Sequence, residues 1–312
     1  MMKLKLLLFL LPLTLFCARP VLGQDNHPDD YERHWQAGHE KIRVISYNIF
    51  YGFDKQKDKD RKERFIDWVR EKDPEVLALE ELCGFTEKSL AALARKWGHP
   101  YSVIHKENGY PVGITSKKPI QLVAKITKNC GHGLLHVRTY GYDFLVTHLN
   151  PSNTGQRRTE AETIVNYIKK MRLDHCLLMG DFNAHSPFDA DFMEEHAIDL
   201  KRKHGGDNSS NLLNGDFDYS VISRILSCPM IDACQRFVPA DKRHTFPTPI
   251  LMYISRDEQR RKRISERLDY IFVSPALWKN VTDAYIFNGE DTGFLSDHYP
   301  VGIDLCIQLK EK

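Results

Sequence analysis

Short apolar, β-branched runs separated by polar, glycine- or proline-marked breaks dominate the chain, and each predicts a strand. The first, Ile42 to Asn48, ends in an amide; the second, Val76 to Leu79, ends at Glu80 and Glu81. The charged stretch Asp54 to Lys62 reads as a surface loop leading into a helix with Phe65, Trp68 and Val69 on one face. A further helix is predicted over Thr86 to Trp97. From Tyr101 to His148 the breaks come faster, giving strands at 101–105, 113–116, 122–127, 134–139 and 144–147, the grammar of an antiparallel meander. Thr154 to Met171 is the clearest helix, with Ala161, Ile164, Val165 and Ile168 at i, i+3, i+4 and i+7. A strand at His175 to Met179, a polar loop with mobile character over Lys201 to Asp218, and strands at 270–274, 284–287 and 301–307 complete the pattern. Strands dominate each half with helices interspersed, so the expected class is α+β, a sandwich of two sheets with helices outside.

The N-terminus breaks this pattern. Lys3 and Lys5 precede the apolar stretch Leu6 to Phe16, and Val21-Leu22-Gly23 closes it, so residues 1–23 are expected to be a secretory signal peptide. The apolar stretch is shorter than the roughly 20 residues a membrane-spanning helix needs. A secreted or periplasmic location follows as an expectation. Cleavage removes Lys3, Lys5 and Arg19 and no acid, which takes the formal charge from +2 to −1. Such a body has no overall field for gathering polyanions, so attraction to them must be local. A polar segment over 24–40 then leads into one domain over 41–310, expected to act as a monomer. Export permits disulfides, and Cys228 and Cys234 are spaced to close a short loop. Cys176 and Cys306 sit in strand-like runs as buried thiols. No cysteine pair has the C-x-x-C spacing of a metal site, which argues against zinc.

Polar groups collect at strand ends: Asn48, Glu81, His148, Asp181 with Asn183, and Asp297 with His298, while Asp269 opens another strand. One such carboxylate is ordinarily a cap or turn residue. Six such positions together point to a site assembled on one rim of the sandwich. The inventory suits metal-assisted hydrolysis of a phosphate ester. Carboxylate and amide oxygens are hard ligands for Mg2+, with Mn2+ or Ca2+ as alternatives. A carboxylate or imidazole can take a proton from water.

In order, the blocks Ser46-Tyr47-Asn48-Ile49, Leu79-Glu80-Glu81, Gly113 to Ile120, Thr147-His148-Leu149, Gly180-Asp181-Phe182-Asn183, Arg267 to Phe272 and Ser296-Asp297-His298-Tyr299-Pro300 cover 41–308. The chain resembles the endonuclease/exonuclease/phosphatase superfamily. That resemblance implies a four-layer α/β/β/α sandwich of two mainly antiparallel sheets. It implies Glu81 as the principal metal ligand, helped by Asn48 and Asp297. Asp181 and Asn183 would position the phosphate, the attacking water or the leaving oxygen; Asp269 would orient His298, a general base or phosphate-stabilising group. His148 matches the deoxyribonuclease and sphingomyelinase branches, where a second histidine contacts the phosphate.

Two departures from the family pattern stand out. Glu80 replaces the usual glutamine, adding charge that either favours a second cation or faces outward. The segment Pro247 to Arg267 joins the apolar cluster Ile250 to Ile254 to a run rich in arginine and lysine. It reads as a buried strand and solvated helix, as a phosphate contact for nucleic acid, or, over 250–267, as a peripheral membrane element. The expected activity is therefore a secreted divalent-metal phosphoesterase, nuclease-like before sphingomyelinase-like or sugar- or inositol-phosphatase-like. Its partner is a phosphate ester, either nucleic acid or a phospholipid head group. A catalytically silent binding module is the reading from another class. His34, His39 and His204 lie in polar stretches without partners at ligand spacing and receive no role; His244 and Thr245 are placed to reach the site rim, but a turn histidine is more often merely exposed, so His244 stays outside the core set.

Overall fold

A computed structural model describes residues 39–205, 211–251 and 257–308. The expected signal peptide and nearly all of the polar segment after it lie outside these residues. So does most of the apolar cluster before the basic run.

The first strand, β1 (His39–Asn48), shows how the pattern builds layers. Ile42 and Val44 turn to one face and Ile45 and Tyr47 to the other, and both faces are buried. Its sheet has the order β13 (Val281–Ile286), β14 (Val301–Gln308), β1, β2 (Val76–Glu80), β4 (Gly113–Ser116), β3 (Tyr101–Ile104). The second sheet runs β11 (Ile231–Asp232), β12 (Asp269–Val273), β8 (Cys176–Asp181), β7 (Tyr142–His148), β6 (Leu134–Thr139), β5 (Gln121–Ile126). Ile42, Val44, Phe144, Val146, Leu177, Met179 and Ile303 fill the space between the sheets. Phe65, Ile66, Val69 and Leu90 of the helices Lys59–Lys72 and Glu87–Ala94 cover the outer face of the first sheet. Ile164, Val165 and Ile168 of helix Thr154–Met171 and Val221 and Ile222 of helix Ser220–Leu226 cover the second. Three apolar interfaces make four layers, the α/β/β/α sandwich expected from the sequence.

Pairing is mainly antiparallel, with one parallel pair at the centre of each sheet, β1 with β2 and β7 with β8. Those two pairs position the site. Parallel neighbours end on the same edge, so Asn48 lies opposite Glu80 and His148 opposite Asp181. Antiparallel neighbours begin where those strands end. The start of β12 sets Asp269 opposite Asp181, and the start of β14 sets Val301 opposite Ser46. Gly180 has φ +137°, and a Cβ there would lie 1.8 Å from the Thr147 carbonyl oxygen, so only glycine lets β8 approach β7 ahead of Asp181.

Several sequence expectations need correction. The meander is divided: β3 and β4 belong to the first sheet and β5 to β7 to the second. The polar stretch after Lys201 is not simply a loop. Helix Ala197–His204 and a hairpin of β9 (Leu212–Leu213) and β10 (Asp216–Phe217) bury Leu200 and Phe217 against Met193 and Ile264. The charged stretch near Asp54 starts as a left-handed turn, with φ between +49° and +68° from Phe50 to Gln56. The right-handed helix then begins at Lys59, where the Asp58 side chain accepts the Arg61 N–H. Cys228 and Cys234 do not pair; both are buried free thiols, facing the carbonyls of Val165 and Tyr285. The strand β1 starts at His39, inside the expected polar segment.

Candidate active site

Asn48 leaves β1 with its amide spread over three neighbours. Its Nδ2 donates to Glu81 Oε1 at 3.3 Å and to Asp181 Oδ2 at 3.1 Å, and its Oδ1 accepts the Phe50 N–H at 3.1 Å. One amide thus ties the two sheets together at their common rim. Glu81 follows β2 in a left-handed conformation, φ +59°, and its Oε2 accepts the Tyr51 N–H at 2.6 Å. The left-handed turn that supplies this N–H is held by Arg61, which is almost wholly buried. Its guanidinium donates to the carbonyls of Ile49, Phe50 and Leu295.

Four groups stand in a row across the rim. His298 Nδ1 is 2.8 Å from Asp269 Oδ2, His298 Nε2 is 3.7 Å from Asp181 Oδ2, and His148 Nε2 is 3.4 Å from the same oxygen. All four are buried. Thr245 Oγ1 accepts the backbone N–H groups of Leu268 and Asp269 at 2.9 and 3.2 Å, which fixes the start of β12. Ser296 Oγ donates to the Asn48 carbonyl at 2.5 Å and lies 3.3 Å from Asp297 Oδ1, joining the loop before β14 to the end of β1. Asn183, φ +48°, donates its N–H to Asp181 Oδ1 at 2.9 Å and its side-chain amide to the Leu149 carbonyl at 3.1 Å.

The electrostatics separate these groups. Burial lowers His298, but Asp269 and Asp181 outweigh it and raise the imidazole well above its usual range. His148 moves the other way: burial, His132 and His298 push it well below, so it is neutral at pH 7. Asp181 is raised, chiefly by burial, against the opposing charge of His298. Glu81 and Asp297 are each raised by burial, and Asp297 raises Glu81 further.

Glu81 and Asp297 line a cavity of about 440 Å³ with Tyr51, Asp54 and Tyr110. Two half-buried carboxyl groups facing one opening, each with its pKa raised by its surroundings, are the donor set a hard divalent cation relieves. Asn48 Oδ1 keeps a lone pair beyond the one facing Phe50. These oxygens fit such an ion. Glu80 does not face outward: it is wholly buried, accepts the Ser46 hydroxyl at 2.8 Å, and is raised well above the usual range by burial and then by Asp269.

All eight site residues expected from the sequence therefore meet at one rim. Arg61, Tyr51 and Ser296 were given no role there. They act through backbone groups, and a buried arginine inside a charged run carries no signature in sequence. His244 is also not simply exposed, since its ring packs on Tyr299 with centroids 5.9 Å apart.

A mixed sandwich whose central strands deliver carboxylates, amides and two histidines to one rim defines a hydrolase of phosphate esters. The sequence profile of the Endonuclease/Exonuclease/phosphatase family matches residues 45–298, and the chain belongs to that family, whose members depend on divalent metals. Solved structures agree on the fold. An AP endonuclease from Archaeoglobus fulgidus superposes with a TM-score of 0.64 at 17% identity, covering 84% of this chain and 98% of that one. A Neisseria 3′ phosphatase, NExo, bound to a product DNA hairpin gives 0.63 at 16%, covering 85% and 99%. The 3′-5′ exonuclease NExo from Neisseria meningitidis gives 0.62 at 16%, with the same coverage. A search of curated proteins finds no match.

Proposed function

We propose that this chain is an exported, Mg2+-dependent phosphodiesterase that cleaves nucleic acid by attack of water. The reading is carried by the row Asp269, His298, Asp181, His148, which places an acid pair and two oppositely shifted imidazoles at one rim. His298, held protonated between two carboxylates, donates Nε2–H to a phosphoryl oxygen as charge builds there. Asp181, raised by burial, is a base matched to neutral pH and takes the proton from water; as the new P–O bond forms the bond to the leaving oxygen breaks, and that alkoxide takes a proton from solvent. Neutral His148 hydrogen-bonds a second phosphoryl oxygen. Asn183 positions the Asp181 carboxylate through its N–H. Asn48, Glu81 and Asp297 would hold the metal, which when bound polarises the phosphoryl group and offsets its charge.

The nucleic-acid substrate is favoured by the names of the three similar structures and by the aromatic approach to the cavity. There Tyr51 and Tyr110 lie with ring centroids 5.9 Å apart beside Glu81. The basic run contributes less than its composition suggests, because Lys262 pairs with Glu258 at 3.0 Å and Arg263 with Asp199 at 2.9 Å.

The test compares hydrolysis of bis-p-nitrophenyl phosphate, p-nitrophenyl phosphate, single- and double-stranded oligonucleotides and sphingomyelin, with Mg2+ and with chelator, beside Asp181→Ala. Mg2+-dependent cleavage of the diester and an oligonucleotide, lost in the variant, is the expected result. Sphingomyelin cleavage without oligonucleotide cleavage would overturn the nuclease reading, and full activity in chelator would overturn the metal.

A further inference from the structure

Away from the catalytic row, three buried side chains from three separate segments converge on one point. His185 follows β8, His204 ends helix Ala197–His204, and Glu266 precedes β12. Both imidazole Nε2 atoms lie 2.7 Å from the same oxygen, Glu266 Oε2. Lys203 Nζ takes the other oxygen, Oε1. The two imidazole rings meet edge to face with centroids 5.1 Å apart.

The geometry points to a second metal site at His185, His204 and Glu266, for a borderline divalent cation of the Zn2+ type. Two imidazoles and one carboxylate form a nitrogen-rich set that suits zinc and disfavours magnesium, which takes oxygen ligands. The three ligand atoms lie within 4.8 Å of one another, the span a single ion bridges. Lys203 occupies the outer carboxylate oxygen and leaves Oε2 as the inward ligand, the role such a partner has behind a metal-bound carboxylate. An imidazole that is neutral frees its Nε2 lone pair for a metal by carrying its proton on Nδ1.

The ion would pin helix Ala197–His204 beside the catalytic rim. Lys203 lies 4.6 Å from the Phe246 ring centroid, and that ring stands 4.9 Å from His298. The site is separate from the Mg2+ ligands and does not depend on the substrate assigned above.

The experiment strips the full-length mature protein with chelator, titrates it with Zn2+ alone and then with Co2+ alone, and repeats this for Glu81→Gln, His185→Gln and His204→Gln. Glutamine keeps a donor for Glu266 and is a poor zinc ligand, so the variants can fold as wild type. Expected are one tightly held Zn2+ per chain in wild type and in Glu81→Gln, and Co2+ bands of a nitrogen-containing site. Affinity should fall at least about 100-fold in both histidine variants. Zinc uptake absent from wild type, lost in Glu81→Gln, or unchanged in folded His185→Gln and His204→Gln would overturn the proposal. The readout is metal content and spectrum, so failure of the nuclease assignment would leave it standing.

Discussion

His298 Nδ1 rests 2.8 Å from Asp269 Oδ2, and that contact fixes which edge of the imidazole faces Asp181. With the Nδ1 proton shared with a buried carboxylate, Nε2 is the atom left for substrate. Asp269→Asn keeps the shape and removes the charge that raises the imidazole. Turnover of bis-p-nitrophenyl phosphate should fall by ~10²–10⁴ with KM little changed, because the lost interaction grows in the transition state. The loss should deepen as pH rises, since the imidazole deprotonates earlier. A fall of less than tenfold, or one confined to KM, would show that His298 works without Asp269.

Glu81 illustrates the opposite sign. Burial and Asp297 raise its folded carboxyl above the unfolded value, so its ionised form costs stability at neutral pH in metal-free protein. Glu81→Gln should therefore melt higher than wild type in chelator. The same variant should need at least about tenfold more Mg2+ for half-maximal activity. If it melts lower in chelator and keeps the wild-type Mg2+ requirement, Glu81 is a structural residue.

The strands and the candidate rim were legible because both leave local marks. Buried strands such as Val76–Glu80 are unbroken apolar runs, and Asn48, Glu81 and His148 stand where those runs stop. Contacts made over long separations were not legible. His204 sits in a polar stretch and was given no role, yet its partner Glu266 lies 62 residues on and His185 precedes it from another loop. The helix ending at His204 was hidden because only Leu200 and His204 on it are buried, too few to show a period. Which way Glu80 faces was left open for a related reason. In a four-layer sandwich one face of a strand meets the other sheet and the other meets the helices, so both are interior and its alternation with Glu81 said nothing about solvent.

His99 gives a pH-dependent test remote from the site. It is fully buried, with Nε2 2.7 Å from the Pro74 carbonyl and Nδ1 2.8 Å from Thr115 Oγ1, so the neutral ring donates to one and accepts from the other. Burial pushes it down to about 4. The unfolded chain, with an imidazole near 6.5, binds the proton first. Stability should be full above pH ~6.5, decline as pH falls towards ~4 and level off below, a loss of about 3 kcal/mol from this group. Urea unfolding across that range checks it. His99→Gln should flatten this part of the profile, and an unchanged slope would assign the acid sensitivity elsewhere.

The left-handed turn from Phe50 to Gln56 makes the last prediction, because successive residues at positive φ are costly and the chain has one glycine among them. Gly52 has φ +60°, and a Cβ there would lie 2.2 Å from the Cys83 carbonyl oxygen and 2.9 Å from the Cys83 nitrogen. Both obstacles are backbone, so neither can swing aside as a side chain would. Relief requires the turn to move away from Cys83. Tyr51, the residue before Gly52, would carry its N–H off Glu81 Oε2, and Glu81 would lose the donor that orients it. Gly52→Ala should cost at least ~2 kcal/mol in urea unfolding. In the folded fraction it should also weaken Mg2+ activation, measured as the concentration for half-maximal turnover. A stable variant with the wild-type Mg2+ requirement would mean that the strained turn does not set the orientation of Glu81.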